Sequence, residues 1–415
     1  MTVKVAILGY GVEGKSVERY VKKHYPKAEV KIFENLTEQI DANGFDLVFR
    51  TPSIAPSRIK ADGEVTSSTQ LFFDKCPAQI IGVTGTKGKG TTCSLITAVL
   101  RAAGYTVHLV GNIGVPALDE LDKIRADDIV VYELSSFQLW DLNKSPQTAV
   151  IVHIEPDHLN VHSGFDEYVD AKSNIVKYQT ANDTVVYDAG SNESVKIAQK
   201  SLAKKLPYPS KRYASFDGNN LLFLEQIICS RSDLKVPGAY NVFNALAAIN
   251  AAWRYTQNPK YYKQGFSSFT GLPHRTNLVK EAAGVKYYDN SIATVPGSTI
   301  ADIQSFEAPK VMIIGGVDKG VDMSELVKVI KNSNVRQTVL VGASANGLEQ
   351  QFVAAGIKNY VNLGMNTGMS TVVECAASSA QPGDIVLLSP AHASFDMFKN
   401  YSERGDQFVA AVNKL

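Results

Sequence analysis

Cysteine is scarce in this chain: Cys76, Cys93, Cys229 and Cys375 are the four in 415 residues, and no two stand close together. No C-x-x-C spacing exists, which excludes a zinc ribbon or a dithiol redox site, and the density is too low for a secreted disulfide scaffold. An excess of either charge is also missing. Lys and Arg total 42, Asp and Glu 41, and the formal net charge is +1. That balance excludes a protein whose main task is coating nucleic acid or a polyanionic membrane, so neither is expected as a partner. No apolar run approaches the ~18 residues of a membrane span. The first residues run straight into a strand-like segment without a signal-type apolar region, so a cytoplasmic location is expected.

What is present is a repeated strand–loop–helix pattern. The β-branched run Val3–Leu8 leads into Gly9-Tyr-Gly11-Val-Glu-Gly14, then a helical pattern from Lys15 to Lys23, then a strand ending near Glu34. G-x-G-x-x-G between strand and helix, with an acid about 20 residues on, fits a loop whose backbone amides approach a diphosphate. Taken alone it is also compatible with a nicotinamide oxidoreductase, or with a tight turn and nothing more. A second unit is more specific: strand Ile80–Thr84, loop Gly85-Thr86-Lys87-Gly88-Lys89-Gly90-Thr91-Thr92, and a helix from Cys93 to Ala103. Its glycines let backbone wrap phosphate oxygens, Lys89 can neutralise β- and γ-phosphates, and Thr91 or Thr92 can offer a hydroxyl to Mg²⁺. ATP is therefore expected there, although Gly90 stands where such loops carry Ser or Thr. An oxidoreductase has no use for this second loop. Two anion loops point to a ligase or kinase handling ATP and a second phosphorylated substrate.

Val130-Val-Tyr-Glu133 ends a strand with a carboxylate, where a parallel sheet binds ligands, and could hold Mg²⁺. His153-Ile-Glu155-Pro-Asp157-His158-Leu-Asn-Val-His162 invites zinc by composition, and His158 and His162 could share a helix face; an oxygen-liganded Mg²⁺ suits a phosphate loop better. Lys172, on its own, reads as a solvated helix lysine. Strands and helices continue to alternate past a break at Gly271-Leu-Pro-His-Arg275, with 207–236 less regular. The expected architecture is α/β in three domains: a Rossmann-like domain at 1–76, a P-loop ATPase-like domain at 77–270, and a Rossmann-like domain at 271–415.

Several of these segments together resemble the Mur ligase family, in its glutamate-adding branch. They are the Gly9–Gly14 loop, Thr84–Lys89, Gly111-Asn-Ile-Gly-Val-Pro-Ala-Leu118, Tyr132-Glu-Leu-Ser-Ser-Phe-Gln138, Glu155-Pro-Asp-His158, Ala171-Lys172, Gly238-Ala-Tyr-Asn-Val-Phe-Asn244, Gly271–Arg275, and Leu388-Ser-Pro-Ala-His-Ala-Ser-Phe-Asp396 with Phe398–Tyr401. The resemblance implies ATP-dependent ligation of glutamate to UDP-N-acetylmuramoyl-L-alanine through an acyl phosphate, as a step of peptidoglycan precursor synthesis. A monomer is expected, since the sequence shows no exposed apolar stripe or heptad. The resemblance also implies that Gly85–Thr91, Asn244, Arg275 and Asp289 contact ATP, and that Gly11, Val12, Glu13, Glu34, Asn35 and Asn112 contact the UDP-substrate. It implies that Lys319, Ser394 and Tyr401 hold glutamate. It further implies two Mg²⁺ ions on Thr91, Glu133, His158 and Lys172, the lysine as its carbamate; Lys89, Glu133, His158 and Lys172 would be catalytic.

The chain departs from the family pattern at four places. Gly90 resembles folylpolyglutamate synthetases, but those begin near their phosphate loop, while about 80 residues precede it here. Tyr240 replaces a His. In Tyr288-Asp-Asn-Ser-Ile-Ala-Thr294, Asn290 and Ile292 occupy the Asp and Lys positions of an Asp-Ser-Lys-Ala-Thr pattern, with Asp289 one residue early. D-Glutamate is the expected amino acid, and Ile292 raises L-glutamate as the alternative.

Overall fold

The structure is a computed structural model describing residues 2–34, 38–112, 114–158, 161–318 and 320–415, so the expected contacts Asn35 and Lys319 lie outside the described residues. The chain is mixed α/β. It divides into two compact units, residues 1–234 with 240–269, and residues 235–239 with 270–415.

Unit 1 contains two parallel sheets. In the first, strands Glu29–Phe33, Lys4–Leu8, Leu47–Arg50 and Glu64–Ser67 lie side by side in that order. Val5 to Leu8 are wholly buried, as an unbroken apolar run in a parallel sheet should be. Helix Val12–His24 follows the first glycine loop and buries Val17, Tyr20 and Val21, a face at three- and four-residue spacing. A Cβ on Gly14 would stand 2.1 Å from the Gly9 carbonyl oxygen, so close strand–helix approach itself demands this glycine.

The second sheet has the order Lys204–Tyr208, Thr184–Asp188, Thr148–Ile151, Gln79–Thr84, Ile129–Glu133, Val107–Gly111, all parallel. Gln79–Thr84 comes first in sequence yet lies inside, with later strands added on both sides. Ligands of open α/β sheets bind where the order reverses in this way, beyond the strands' C-terminal ends. Val83 is in register with Glu133 and Thr84 with Ile151. The second glycine loop, Glu133 and the chain after Ile151 therefore leave the sheet together.

The two sheets share one core in which Phe72 and Phe73 meet Tyr132, with ring centroids 5.3 and 5.9 Å apart. Arg50, wholly buried, donates from Nε to Asp141 at 2.7 Å and from Nη2 to the Phe137 carbonyl at 3.1 Å. These contacts make one compact unit of two sheets.

Unit 2 is built on the sheet Asn277–Ala282, Val285–Asp289, Ile385–Leu388, Lys310–Gly315, Val335–Val341, Tyr360–Gly364. Its first strand is antiparallel to the second; the others are parallel. Separate apolar clusters pack around it. The loops after Asp289, Gly315 and Leu388 leave the same edge.

The stretch read as irregular holds a small antiparallel sheet, Ala214–Phe216, Asn220–Phe223 and Gln226–Ser230, whose short strands give little buried-run signal. The phosphate-loop helix begins at Lys89 rather than Cys93, because Gly88, at φ 92°, makes the turn and Lys89-Gly90 already form the first helical turn. Among the described residues no helix is long and apolar enough to cross a membrane.

Candidate active site

The second glycine loop is held in shape by its own side chains. Lys89 Nζ donates to the carbonyls of Gly85 at 3.0 Å and Thr86 at 2.8 Å. Thr86 Oγ1 donates to the Glu155 carbonyl at 2.9 Å, accepts from the Glu155 amide at 3.0 Å, and lies 2.9 Å from the Tyr168 hydroxyl. Lys87 is exposed and pairs with Glu155 at 2.5 Å. Gly90, Thr91 and Thr92 are buried in the first turn of helix Lys89–Ala102. Thr92 Oγ1 reaches Asn244 Oδ1 at 3.4 Å, and Asn244 Nδ2 donates to Asn241 at 2.9 Å.

Lys172 is not a solvated lysine. It is 1% exposed, on the buried face of helix Phe165–Lys177 with Tyr168, Ile175 and Val176. Its Nζ donates to the Gly85 carbonyl at 2.9 Å, the same oxygen that Lys89 uses, and stands 4.4 Å from the Tyr168 ring centroid. Burial, and then the charge of Lys89, hold its amine well below the usual lysine range, while Asp157 and Glu133 pull the other way. Glu133 is itself buried at the end of its strand. Tyr168 and Lys172 are four apart on a helix, a spacing that places them on one face and could have flagged the pair in the sequence.

The two histidines separate. Residues 155–158 and 161–164 are not helical; His158 is exposed, with φ 54°, and its ring lies 5.0 Å from that of Phe137. His162 is buried, stacked on Phe137 at 5.2 Å and packed on Trp140 at 4.6 Å, with Nε2 3.0 Å from Ser136 Oγ. Its burial depresses its pKa. The shared helix face expected for them does not form. Among the described residues no group of three or more His, Cys, Asp or Glu side chains is arranged to hold a metal ion.

At the first glycine loop, Gly11 and Val12 are exposed at the start of helix Val12–His24. Glu13 turns its carboxylate inward, accepting from Ser68 Oγ at 2.7 Å and Gln138 Nε2 at 3.3 Å, and burial raises its pKa. Gln138 also closes a capping box with Ser135 at helix Ser136–Leu139. Glu34 and Asn112 are exposed.

In unit 2, Arg275 is exposed, and Asp289 is wholly buried. Asp289 Oδ2 lies 2.6 Å from His274 Nδ1, and Oδ1 accepts from the Ser291 amide at 2.9 Å. The hydrogen bond to Asp289 raises the pKa of His274. Asn290 is buried too, donating to Asp302 at 2.5 Å. Ser394 is buried, while Tyr401 is 38% exposed and opens helix Tyr401–Val412. Arg404 is buried and donates to the Ser291 hydroxyl at 2.9 Å and to the carbonyls of Ser291 at 2.8 Å and His392 at 3.1 Å; burial pulls its pKa down to about 10. Sequence reasoning missed Arg50, Asn290's partner Asp302, and Arg404, since nothing in a sequence marks a charged residue as buried.

The chain is 36% identical to the UDP-N-acetylmuramoylalanine–D-glutamate ligase of Acetivibrio thermocellus, covering 99% of this chain and 96% of that protein. It is 34% identical to the ligase of the same name from Clostridium botulinum strain 657, over 99% and 97%. Among solved structures, it resembles the UDP-N-acetylmuramate-alanine ligase of Thermotoga maritima, with TM-score 0.64 and 16% identity over 99% of both chains. It also resembles a folylpolyglutamate synthase of Mycobacterium tuberculosis, with TM-score 0.59 and 12% identity over 82% and 94%; identities this low speak to fold alone. The family model of the Mur ligase middle domain matches residues 83–252 and that of the Mur ligase glutamate ligase domain matches residues 274–392. With relatives above 30% identity along its whole length, the chain belongs to the Mur ligase family.

Proposed function

We propose that this chain joins D-glutamate to UDP-N-acetylmuramoyl-L-alanine at the expense of ATP, a step of peptidoglycan precursor synthesis. The observation that carries the reading is the meeting of Lys89 and Lys172 on the Gly85 carbonyl, beside a buried Glu133, at the reversal point of the central sheet. In the reading, the alanine carboxylate attacks the γ-phosphorus and ADP leaves. The glutamate amine then attacks the acyl carbon, the phosphate departs with the C–O bond electrons, and the amine sheds a proton. A carboxylate oxygen is a poor leaving group and a phosphate is a good one, so catalysis is largely positioning and charge neutralisation.

Gly85, Thr86, Lys87, Gly88, Lys89, Gly90 and Thr91 would line the nucleotide phosphates, with Asn244 supporting Gly88. Arg275 would reach the nucleotide directly, and Asp289, being buried, through His274. The amides of Gly11, Val12 and Glu13 would take the UDP diphosphate, with Glu34 and Asn35 near its nucleoside and Asn112 on the muramoyl-alanine. Lys319, Ser394 and Tyr401 would hold glutamate. The donor set suits Mg²⁺, which takes few protein oxygens and completes its shell with phosphate and water. Glu133, Thr91, His158 and Lys172 as its carbamate would hold it, supplying charge neutralisation at the phosphates. Lys172 fits a carbamate for two reasons: a buried neutral amine can add to CO₂, losing one proton as the N–C bond forms, and the product is an anion beside Lys89. The division 1–76, 77–270 and 271–415 would then correspond to holding UDP, handling ATP, and delivering the amino acid, in a cytoplasmic monomer.

The test is phosphate release by purified protein with ATP, Mg²⁺, UDP-N-acetylmuramoyl-L-alanine and each glutamate enantiomer. Release with D-glutamate is expected. No release with either enantiomer sinks the proposal, and preference for L-glutamate would assign Ile292 to a changed acceptor specificity.

A further inference from the structure

Unit 2 buries a carboxyl group that no cation answers among the described residues. Asp302, on helix Pro296–Ser305, is 3% exposed. Its Oδ2 accepts from Ser389 Oγ at 2.6 Å and from Asn290 Nδ2 at 2.5 Å, and its Oδ1 from Thr276 Oγ1 at 3.3 Å. Burial pushes its acid up to about 6. Taking a carboxyl out of water without a counter-charge is unfavourable unless several donors converge on it.

The three donors belong to three loops. Thr276 follows the Gly271–Arg275 segment, Asn290 follows strand Val285–Asp289, and Ser389 follows strand Ile385–Leu388 and opens the loop that reaches Ser394. Each loop carries a residue assigned above to a substrate: Arg275 and Asp289 to the nucleotide, Ser394 to the amino acid. We infer that Asp302 is a positioning residue that ties these three loops into one set, so that the nucleotide contacts and the amino-acid contact of unit 2 are held in fixed relation. The inference rests on the site assignments under the proposed function.

A second observation points the same way. Among the described residues Asn290 Oδ1 is buried with no hydrogen-bond partner, because its amide is turned to give Nδ2 to Asp302. Leaving such an oxygen unmet is unfavourable, and the bond to Asp302 offsets it. Fastening the helix alone would not require this arrangement: Ile303 and Thr299 of the same helix are already buried, and Thr299 donates to the Ser389 carbonyl at 3.1 Å. An apolar residue at 302 would serve for packing. Only an acceptor reaches all three loops.

The geometry also says which replacement should work. In Asp302→Asn, Asn290 can rotate its amide so that its Oδ1 accepts from the introduced side-chain amide, whose own oxygen still accepts from Thr276. In Asp302→Ala all three bonds are lost. The experiment compares both variants with wild type in the full-length protein, by amide hydrogen exchange and by steady-state phosphate release. For Asp302→Ala, exchange in 271–276, 289–294 and 389–396 should quicken together, and the KM for ATP and for D-glutamate should each rise about tenfold, with the KM for the UDP-substrate unchanged. Asp302→Asn should return both KM values to within about threefold of wild type. Unchanged KM values in Asp302→Ala, faster exchange confined to helix 296–305, or an Asn variant as impaired as Ala would each overturn the inference. Wild-type protein that releases no phosphate would overturn the proposed function instead, and loop exchange would still judge Asp302.

Discussion

Gly88→Ala should damage stability and ATP use together, by amounts the geometry sets. Gly88 has φ 92°, a left-handed conformation that costs an L-residue roughly 1–2 kcal/mol. The added Cβ would lie 2.3 Å from Asn244 Oδ1, about 1 Å short of ordinary contact. Either Asn244 turns or the phosphate loop shifts. A turned Asn244 loses its bond to Asn241, worth about 1 kcal/mol. The total is a destabilisation of about 2–3 kcal/mol. A loop shifted by about 1 Å should cost on the order of 10²-fold in kcat/KM for ATP.

Two assays measure this: urea unfolding of the full chain, and phosphate release at varied ATP with the other substrates saturating. A cycle with Asn244→Ala isolates the clash. With the amide gone the Cβ has room, so the double variant should be less destabilised than the sum of the singles by about 1 kcal/mol, while the backbone cost persists. Strict additivity would refute the role given to Asn244. A Gly88→Ala enzyme with wild-type stability and kcat/KM within about twofold would refute the whole argument.

Three further outcomes follow from buried charges. Arg50→Ala removes a wholly buried guanidinium from Asp141, which is 31% exposed, and should cost about 3 kcal/mol; an unmoved urea midpoint would refute the role of this pair in joining the two sheets. Asp302, raised from 3.8 to about 6, favours the folded state in its protonated form, so its stability contribution is present below about pH 4 and lost as pH rises through about 6. Asp302→Asn should therefore gain on wild type by roughly 3 kcal/mol between about pH 4 and 7, and a pH-independent difference would show that the acid is not raised. Protein equilibrated with ¹³C-bicarbonate should show one carbamate resonance that Lys172→Ala lacks, and the lost activity should return in part with a short-chain carboxylate; an unmodified lysine in active, Mg²⁺-loaded enzyme would contradict the carbamate.

The parts of the site legible in the sequence were those written as backbone geometry or strand ends. Glycines at 9, 85 and 88 announce turns because their positive φ suits few other residues, Gly14 announces a close strand–helix approach, and Glu133 announces itself by ending a buried run. Side-chain direction was not legible. Glu13 belongs to the first glycine loop by position, yet its carboxylate faces Ser68 and Gln138. His158 and His162 look equivalent in sequence, and one is exposed while the other is buried, stacked on Phe137 and packed against Trp140. The boundary drawn at 76 followed the restart of the strand pattern at Gln79. Periodicity cannot see that Phe72 and Phe73 pack on Tyr132, some sixty residues away, or that Arg50 binds Asp141.

The near-zero net charge takes on a different meaning once burial is known. Anionic substrates do not require a positive chain if the cations that meet them are few and held at fixed points. Lys89 and Lys172 converge on one carbonyl oxygen of the phosphate loop, and burial first, then the charge of Lys89, hold the Lys172 amine well below the usual lysine range. Two ammonium groups there would repel, so the fold favours one ammonium beside a neutral amine. An anion formed on that amine, or a phosphate lying between the two, would be attracted to Lys89. In unit 2 the buried Asp302 is met by neutral donors, and the buried Arg404 by the Ser291 hydroxyl and the carbonyls of Ser291 and His392. In unit 2 Asp302 thus joins three loops through neutral donors, and surface charge is left free to balance.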